Sequence, residues 1–331
     1  MKKGYIPKDQ RKKILLLCDD MRTQESGIDD AQVLIYPSNG YGNPDILRQL
    51  IKQEKPDAIF IITDPRYWDW LFKIEDEIRK TCPIIYLNIW DDYPAPKYNE
   101  AFYESCDLLM GISKQTVNIN KLVLGEKVKD KIISYVPHGL NHKVYKPLEK
   151  DNKELVDFRS QLFSGKDIEF ALLFNSRNIR RKQIPDTIFA YKIAMDKLSK
   201  EQAKKCALVL HTQMRFSDEK GIWFTPDDMI PSNHTGAYKN CGPWAFPVFP
   251  TSRSIQGSPQ TPYIWDDRCQ PEDAAEQILN LYNLGKEEIK KRGLLARDWC
   301  LSDEAGFTAK KQGERVIENI DKLLSTWKPR D

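Results

Sequence analysis

The run at residues 170–182, FALLFNSRNIRRK, passes from apolar residues into a polar loop carrying Asn175, Arg177, Arg180, Arg181 and Lys182, with Pro185 just beyond. Loop amides and a helix N-terminus attract anions, and Arg or Lys adds charge-assisted bonds to phosphate oxygens. Anion binding is therefore one reading, and a solvated basic turn is the other. At residues 136–140, VPHGL, a Pro-His-Gly turn lets backbone approach a ligand at Gly139, and the neutral ring of His138 can donate to an oxygen. His138 and His142 stand four apart, but no third ligand has a matching spacing, so no metal is expected. At residues 88–94, NIWDDYP, Asp91 or Asp92 is suited to orient a hydroxyl or act as a base, or else to cap a helix before Pro94. At residues 64–72, DPRYWDWLF, Asp64 follows another apolar run, and Trp68 and Trp70 either stack on a ligand ring or pack in a core. The 233–235 sequon is set aside, and no P-loop, G-x-G-x-x-G or G-x-S-x-G is present.

These strings need strands that end beside them. Apolar runs at 13–18, 33–36, 57–63, 83–89, 108–112 and 131–136 read as strands, and 57–63 has the continuous character of a parallel strand buried on both faces. Helical patterns fall at 45–55, 69–80, 98–105 and from Ser113 onward. The alternation predicts an α/β chain with a doubly wound parallel sheet, whose carboxyl edge carries Asp64, Asp91 and His138. After a linking helix at 151–164, a second unit shows strands at 170–174 and 207–211 around a helix at 184–199. Residues 213–271 lose the rhythm and read as mostly loop, before helices at 273–284, 286–298 and 304–327. The domains expected are 1–147, 148–303 and a terminal segment, 304–331, packing back on the first.

Composition narrows the classes. With 51 Lys and Arg against 48 Asp and Glu the net charge is +3, which is no signature of a nucleic-acid binder. No apolar run approaches the roughly 20 residues of a membrane-spanning helix. The basic start is followed by apolar residues only at 14–18, shorter than a secretory core, so a cytoplasmic location is expected. The seven Cys form no C-x-x-C pair and read as reduced thiols.

Together, Val136-Pro137-His138-Gly139, the downstream Val144-Tyr145-Lys146-Pro147 and Arg177-x-x-x-x-Lys182 resemble GT-B fold glycosyltransferases of the retaining family 4 type. From Tyr41 to Lys182, with NGYGNPD, TDPRYW, NIWDDYPAPKYN and ISKQT, the chain looks like a phage or metagenomic branch of that family; PQTPYIWDDRC and the helical tail are also similar. The resemblance implies two Rossmann-like domains facing each other across a cleft, the second binding a nucleotide sugar and the first the acceptor. It implies that Arg177 and Lys182 contact the donor diphosphate, with Gly139 and Asn175 on the donor side. His138 would lie near the sugar, and Asp91 and Asp92 share the catalytic region. Asp64, Trp68 and Tyr93 would stand on the acceptor side. The two cations would replace a metal, and no cofactor beyond the donor is expected.

The chain departs from that pattern in three ways. No two Glu stand eight apart, whereas the family uses such a pair to grip the donor sugar. Segments expected near 23–27 and near 213–214 are missing, which leaves the second domain incomplete. The reading is a glycosyltransferase acting with retention on an unknown acceptor: a glycan, a protein, a small molecule or modified DNA. A non-catalytic GT-B-like binding or scaffold protein is the first alternative, and a phage DNA-base glycosyltransferase is the second.

Overall fold

The computed structural model describes residues 14–16 (backbone only), 40–178, 182–212, 242–259 and 261–331. The strand expected at 33–36, Arg180, Arg181, the 233–235 sequon and the positions near 23–27 and 213–214 lie outside the described residues. The chain is α/β, with parallel sheets in both of two compact units.

The first unit takes in Ala95–Gly139, Lys310–Asp331 and the described part of Met1–Asp91. Its sheet is five parallel strands in the order β1 (Ile14–Leu16), β2 (Ala58–Thr63), β3 (Ile84–Asn88), β4 (Leu108–Gly111) and β5 (Ile132–Tyr135). Because all five run the same way, every loop after a strand opens on one edge. Helix α1 (Pro44–Glu54) starts where Asn43 accepts from the amides of Asp45 and Ile46 at 3.0 and 3.1 Å, and it ends at Lys55 in the left-handed region. The helical pattern at 69–80 is broken in the structure. A 3-10 turn at Pro65–Trp68 leads into the single turns α2 (Asp69–Phe72) and α3 (Glu75–Ile78). The Trp68 indole N–H donates to the Ile62 carbonyl at 2.8 Å and ties the 3-10 turn back onto β2. Helix α4 (Glu100–Glu104) joins β3 to β4, and α5 (Lys114–Leu124), capped by Ser113, joins β4 to β5.

Strand residues point alternately to the two faces. On one face Ala58, Ile85, Leu87, Leu108 and Met110 pack with Val136 against Ile320 and Leu323 of the last helix, α11 (Ala309–Thr326). On the other, Tyr86 meets Phe72 and Tyr103 at ring separations of 6.4 and 6.3 Å, and Phe72 stacks on Phe102 at 4.9 Å. Burying each large apolar side chain is worth about 1.5–3 kcal/mol, so two covered faces make this unit the chain's main core. Beyond α11, Arg330 bonds the Arg79 carbonyl at 3.0 Å and pairs with Glu75 and Asp76. Arg79 is itself buried and paired with Glu75 and Asp107, each at 2.7 Å.

The second unit comprises Leu140–Ala309 with Asp92–Pro94. Helix α6 (Lys153–Leu162) precedes the parallel pair β6 (Phe170–Asn175) and β7 (Cys206–His211). Helices α7 (Ile184–Asp196) and α8 (Lys200–Lys204) connect the two strands. The stretch read as loop contains an antiparallel hairpin, β8 (Ser252–Ser258) and β9 (Thr261–Arg268). Pro259 and Pro262 flank its turn and hide the alternation. A Cβ on Gly257, at φ +142°, would lie 2.5 Å from the Thr261 carbonyl, so only glycine fits there. Helices α9 (Pro271–Asn283) and α10 (Gly285–Leu301) follow, α9 beside α7. The helix expected from 304 begins only at Ala309, because Leu140 and Thr308 form a parallel bridge that holds the chain extended. The Leu140 amide donates to the Phe307 carbonyl at 2.9 Å, and the Ala309 amide donates to the Leu140 carbonyl at 3.0 Å.

Burial pushes the Cys82 thiol up to about 12 and moves the Cys106 thiol and the Tyr86 and Tyr103 phenols well upward. In the unfolded chain thiols ionise near about 8.5 and phenols near about 10. The folded state therefore keeps protons that the unfolded state releases, and stability present below those values is lost as pH rises toward the folded ones. Urea midpoints should fall steadily from roughly pH 8.5 to pH 11. A midpoint constant over that range would contradict the burial of these groups.

Candidate functional site

The carboxyl edge of the first sheet gathers Asp64 after β2, Asp91 after β3 and His138 after β5. How each is held starts from a pair of buried side chains on β3. The Tyr86 hydroxyl donates to the Thr63 carbonyl at 2.7 Å, fixing the residue just before Asp64. Thr63 sits at φ +94°, a strained conformation for a β-branched residue, costing about 1–3 kcal/mol. Asn88 is 0 % exposed. Its Oδ1 accepts from the Trp90 amide at 2.9 Å, and its Nδ2 donates to Asn120 on α5 at 2.6 Å. Gln115, in the first turn of α5, donates to the Asp91 carbonyl. That helix lies close because Gly111 permits it: a Cβ there would come within 2.9 Å of Val117.

The Asp64 carboxylate accepts from the Arg66 amide and from its Nε, both at 2.9 Å, so it caps its own turn. Asp91 is half-buried, and Asp92 is buried. Asp92 and Tyr93 belong to the second unit, where the Trp265 amide donates to the Tyr93 carbonyl at 3.0 Å. His138 is exposed, while the Gly139 amide already donates to Gln312 on α11 at 3.0 Å, which leaves only its Cα and carbonyl for a ligand. Trp68 is corrected. At 1 % exposure it is a core residue, and the exposed ring of this segment is Tyr67, stacked on Tyr41 at 4.5 Å.

In the second unit the strand end of β6 is the polar centre. Asn175 and His211 are register partners on β6 and β7, and Asn175 Oδ1 lies 2.8 Å from His211 Nδ1. The Ser176 amide donates to the His211 carbonyl at 3.3 Å. Arg177 follows, exposed, and Lys182 stands half-buried just before α7. At the N-terminus of α7 the left-handed Gln183 makes no side-chain cap bond, and Pro185 and Asp186 occupy the first turn. Arg177 thus stands two residues beyond β6 and Lys182 two residues before α7.

Sequence reading assigned no role to Tyr86, Asn88, Asn120, Gln115 or His211. Asn88 had a signal, since an amide ending an otherwise apolar strand must find partners when buried. His211 is revealed only by the β6–β7 register. Among the described residues no group of three His, Cys, Asp or Glu is placed to hold a metal ion, and no helix is long and apolar enough to cross a membrane.

No family model and no curated protein matches the chain. Among solved structures it is similar to α,α-trehalose 6-phosphate synthase from Burkholderia multivorans, at 10 % identity and a TM-score of 0.36. That match covers 49 % of this chain and 40 % of the other, so it spans less than half of that protein's length.

Replacing Asn88 by leucine keeps the side-chain size but strands the Trp90 amide N–H and the Asn120 Oδ1 in the interior. Each stranded group costs about 1–3 kcal/mol, so Asn88→Leu should lose roughly 2–5 kcal/mol in urea denaturation. An unchanged midpoint would show that these bonds are replaceable.

Proposed function

We propose that the chain is a GT-B glycosyltransferase that takes a nucleotide-sugar donor and acts with retention. The observation that carries the reading is the end of β6, where Arg177, Lys182 and the start of α7 follow the Asn175–His211 pair. The Arg-x-x-x-x-Lys spacing and the Val136–Gly139 turn resemble family 4, and they add the donor class. On this reading Arg177 and Lys182 bind the diphosphate, where negative charge grows as the nucleotide departs. Fixed cations stabilise that charge more in the transition state than in the ground state. Asn175 and Gly139 line the donor side, His138 donates to a sugar oxygen, and Asp91 or Asp92 orients the acceptor hydroxyl. Asp64 and Tyr93 serve the acceptor side.

A second reading, a donor-binding protein without turnover, is favoured by one specific feature: no two Glu stand eight apart to grip the sugar. Nucleotide release separates the two. Incubation with UDP- or GDP-sugars should liberate UDP or GDP if the chain is an enzyme, whereas binding without release selects the second reading.

Losing one charge-assisted hydrogen bond costs roughly 1.5–3 kcal/mol, or about ten- to a hundredfold in affinity. Calorimetric titration with UDP and GDP should show Arg177→Ala and Lys182→Ala each weakened by that factor. Arg177→Lys should also weaken binding, because an ammonium lacks the bidentate fork. Arg180→Ala and Arg181→Ala should change it less. Equal losses at all four positions would remove the donor-site assignment.

A further inference from the structure

A polar pair closes the ends of β6 and β7. Along β6, Phe170 is buried while Ala171, Leu173 and Asn175 are exposed, and Asn175 is the last residue of the strand. His211 ends β7 in register with it, so the two exposed side chains leave the same face of the parallel pair. Asn175 Oδ1 lies 2.8 Å from His211 Nδ1, and the backbones are tied where the Ser176 amide donates to the His211 carbonyl at 3.3 Å. That side-chain contact has one direction. A carboxamide oxygen only accepts, so Nδ1 holds the proton, and in a neutral ring Nε2 is then the acceptor. Asn175 is left with its Nδ2, which carries two N–H donors, to offer a ligand.

An anion is held by donors. The guanidinium of Arg177 and the ammonium of Lys182 have no acceptor to offer, but an asparagine can turn either end of its amide outward. Its oxygen repels a phosphate oxygen, and its nitrogen donates to one. A neighbour that takes the oxygen removes the wrong orientation. We propose that His211 is a positioning residue for the donor diphosphate: it holds Asn175 Oδ1 and so presents Asn175 Nδ2 to a phosphate oxygen at the end of β6. This role rests on the donor reading above. It adds to the diphosphate site a residue of β7 that lies outside the Arg-x-x-x-x-Lys spacing.

Two measurements decide it, and the first needs no ligand. Heteronuclear NMR spectra of the whole chain near about pH 8, above the ordinary histidine value of about 6.5, should show His211 with its proton on Nδ1. A proton on Nε2 instead would make Nδ1 an acceptor and require the Asn175 amide to be reversed; that overturns the role of His211 and leaves the donor reading standing. The second measurement is calorimetric titration with UDP and GDP. Asn175→Ala should bind about ten- to a hundredfold more weakly, and His211→Ala about three- to tenfold. In the Asn175→Ala background, removing His211 should cost nothing further, because the ring acts only through that amide. Losses that add, or a His211→Ala affinity equal to the parent's, overturn the role of His211, while a weakened Arg177→Ala keeps the donor reading. An Arg177→Ala affinity equal to the parent's overturns both. Should a variant not fold, the tautomer of the unaltered chain decides alone.

Discussion

Asn88 spends both ends of its side-chain amide inside the protein, and the geometry of the strand edge depends on that. Its oxygen holds the Trp90 amide, its nitrogen holds Asn120, and two residues earlier the Tyr86 hydroxyl holds the Thr63 carbonyl. β3 thus reaches sideways to its neighbour β2 and forward to its own loop. In a low-dielectric interior such bonds are strong when complete and costly when broken, so the network specifies one loop conformation. The strained backbone at Thr63 persists because the surrounding bonds over-determine it.

That network can be polar only because the rest of the sheet is not. The Ile and Leu side chains of β2, β3 and β4 are covered on one face by α11 and on the other by the Phe72–Tyr86–Tyr103 aromatic cluster. The cover by α11 comes from the far end of the chain, and Arg330 secures it beside Glu75, Asp76 and Arg79. The same helix supplies Gln312 to the Gly139 amide. Core packing and the posture of the His138 turn are therefore coupled through one helix.

What could be read from the sequence follows the strength of the periodic signal. The strands β2 to β6, and the helices α1, α5 and α7, stand close to where the apolar runs and helical patterns of the sequence indicate. The hairpin β8–β9 escaped because prolines interrupt it and because most of β8 faces solvent, so no buried alternation marks it. The late start of α11 was hidden for another reason: a helical pattern says nothing about the Leu140–Thr308 bridge, which joins residues far apart in the chain. Trp68 shows the limit for sites. A tryptophan beside a strand end serves equally as a ligand platform or as core, and only the indole bond to Ile62 separates them.

The strand ends of the two units present different polar groups. On the first unit, Asp64 is bonded to Arg66, the Gly139 amide to Gln312 and the Asp91 carbonyl to Gln115, so the scaffold has taken much of their hydrogen-bonding capacity. Such an edge is rigid, and it meets a ligand with shape and with a few remaining atoms. On the second unit, Arg177 is exposed beyond the end of β6, and the Gln183 side chain makes no capping bond at the start of α7. Exposed cations interact weakly with one another's partners in water, yet they bind strongly to a group carrying several negative charges at once. The two strand ends therefore differ by their own bonding: in the first unit the scaffold already holds the side chains at the edge, and in the second the polar pair Asn175–His211 closes the ends of β6 and β7.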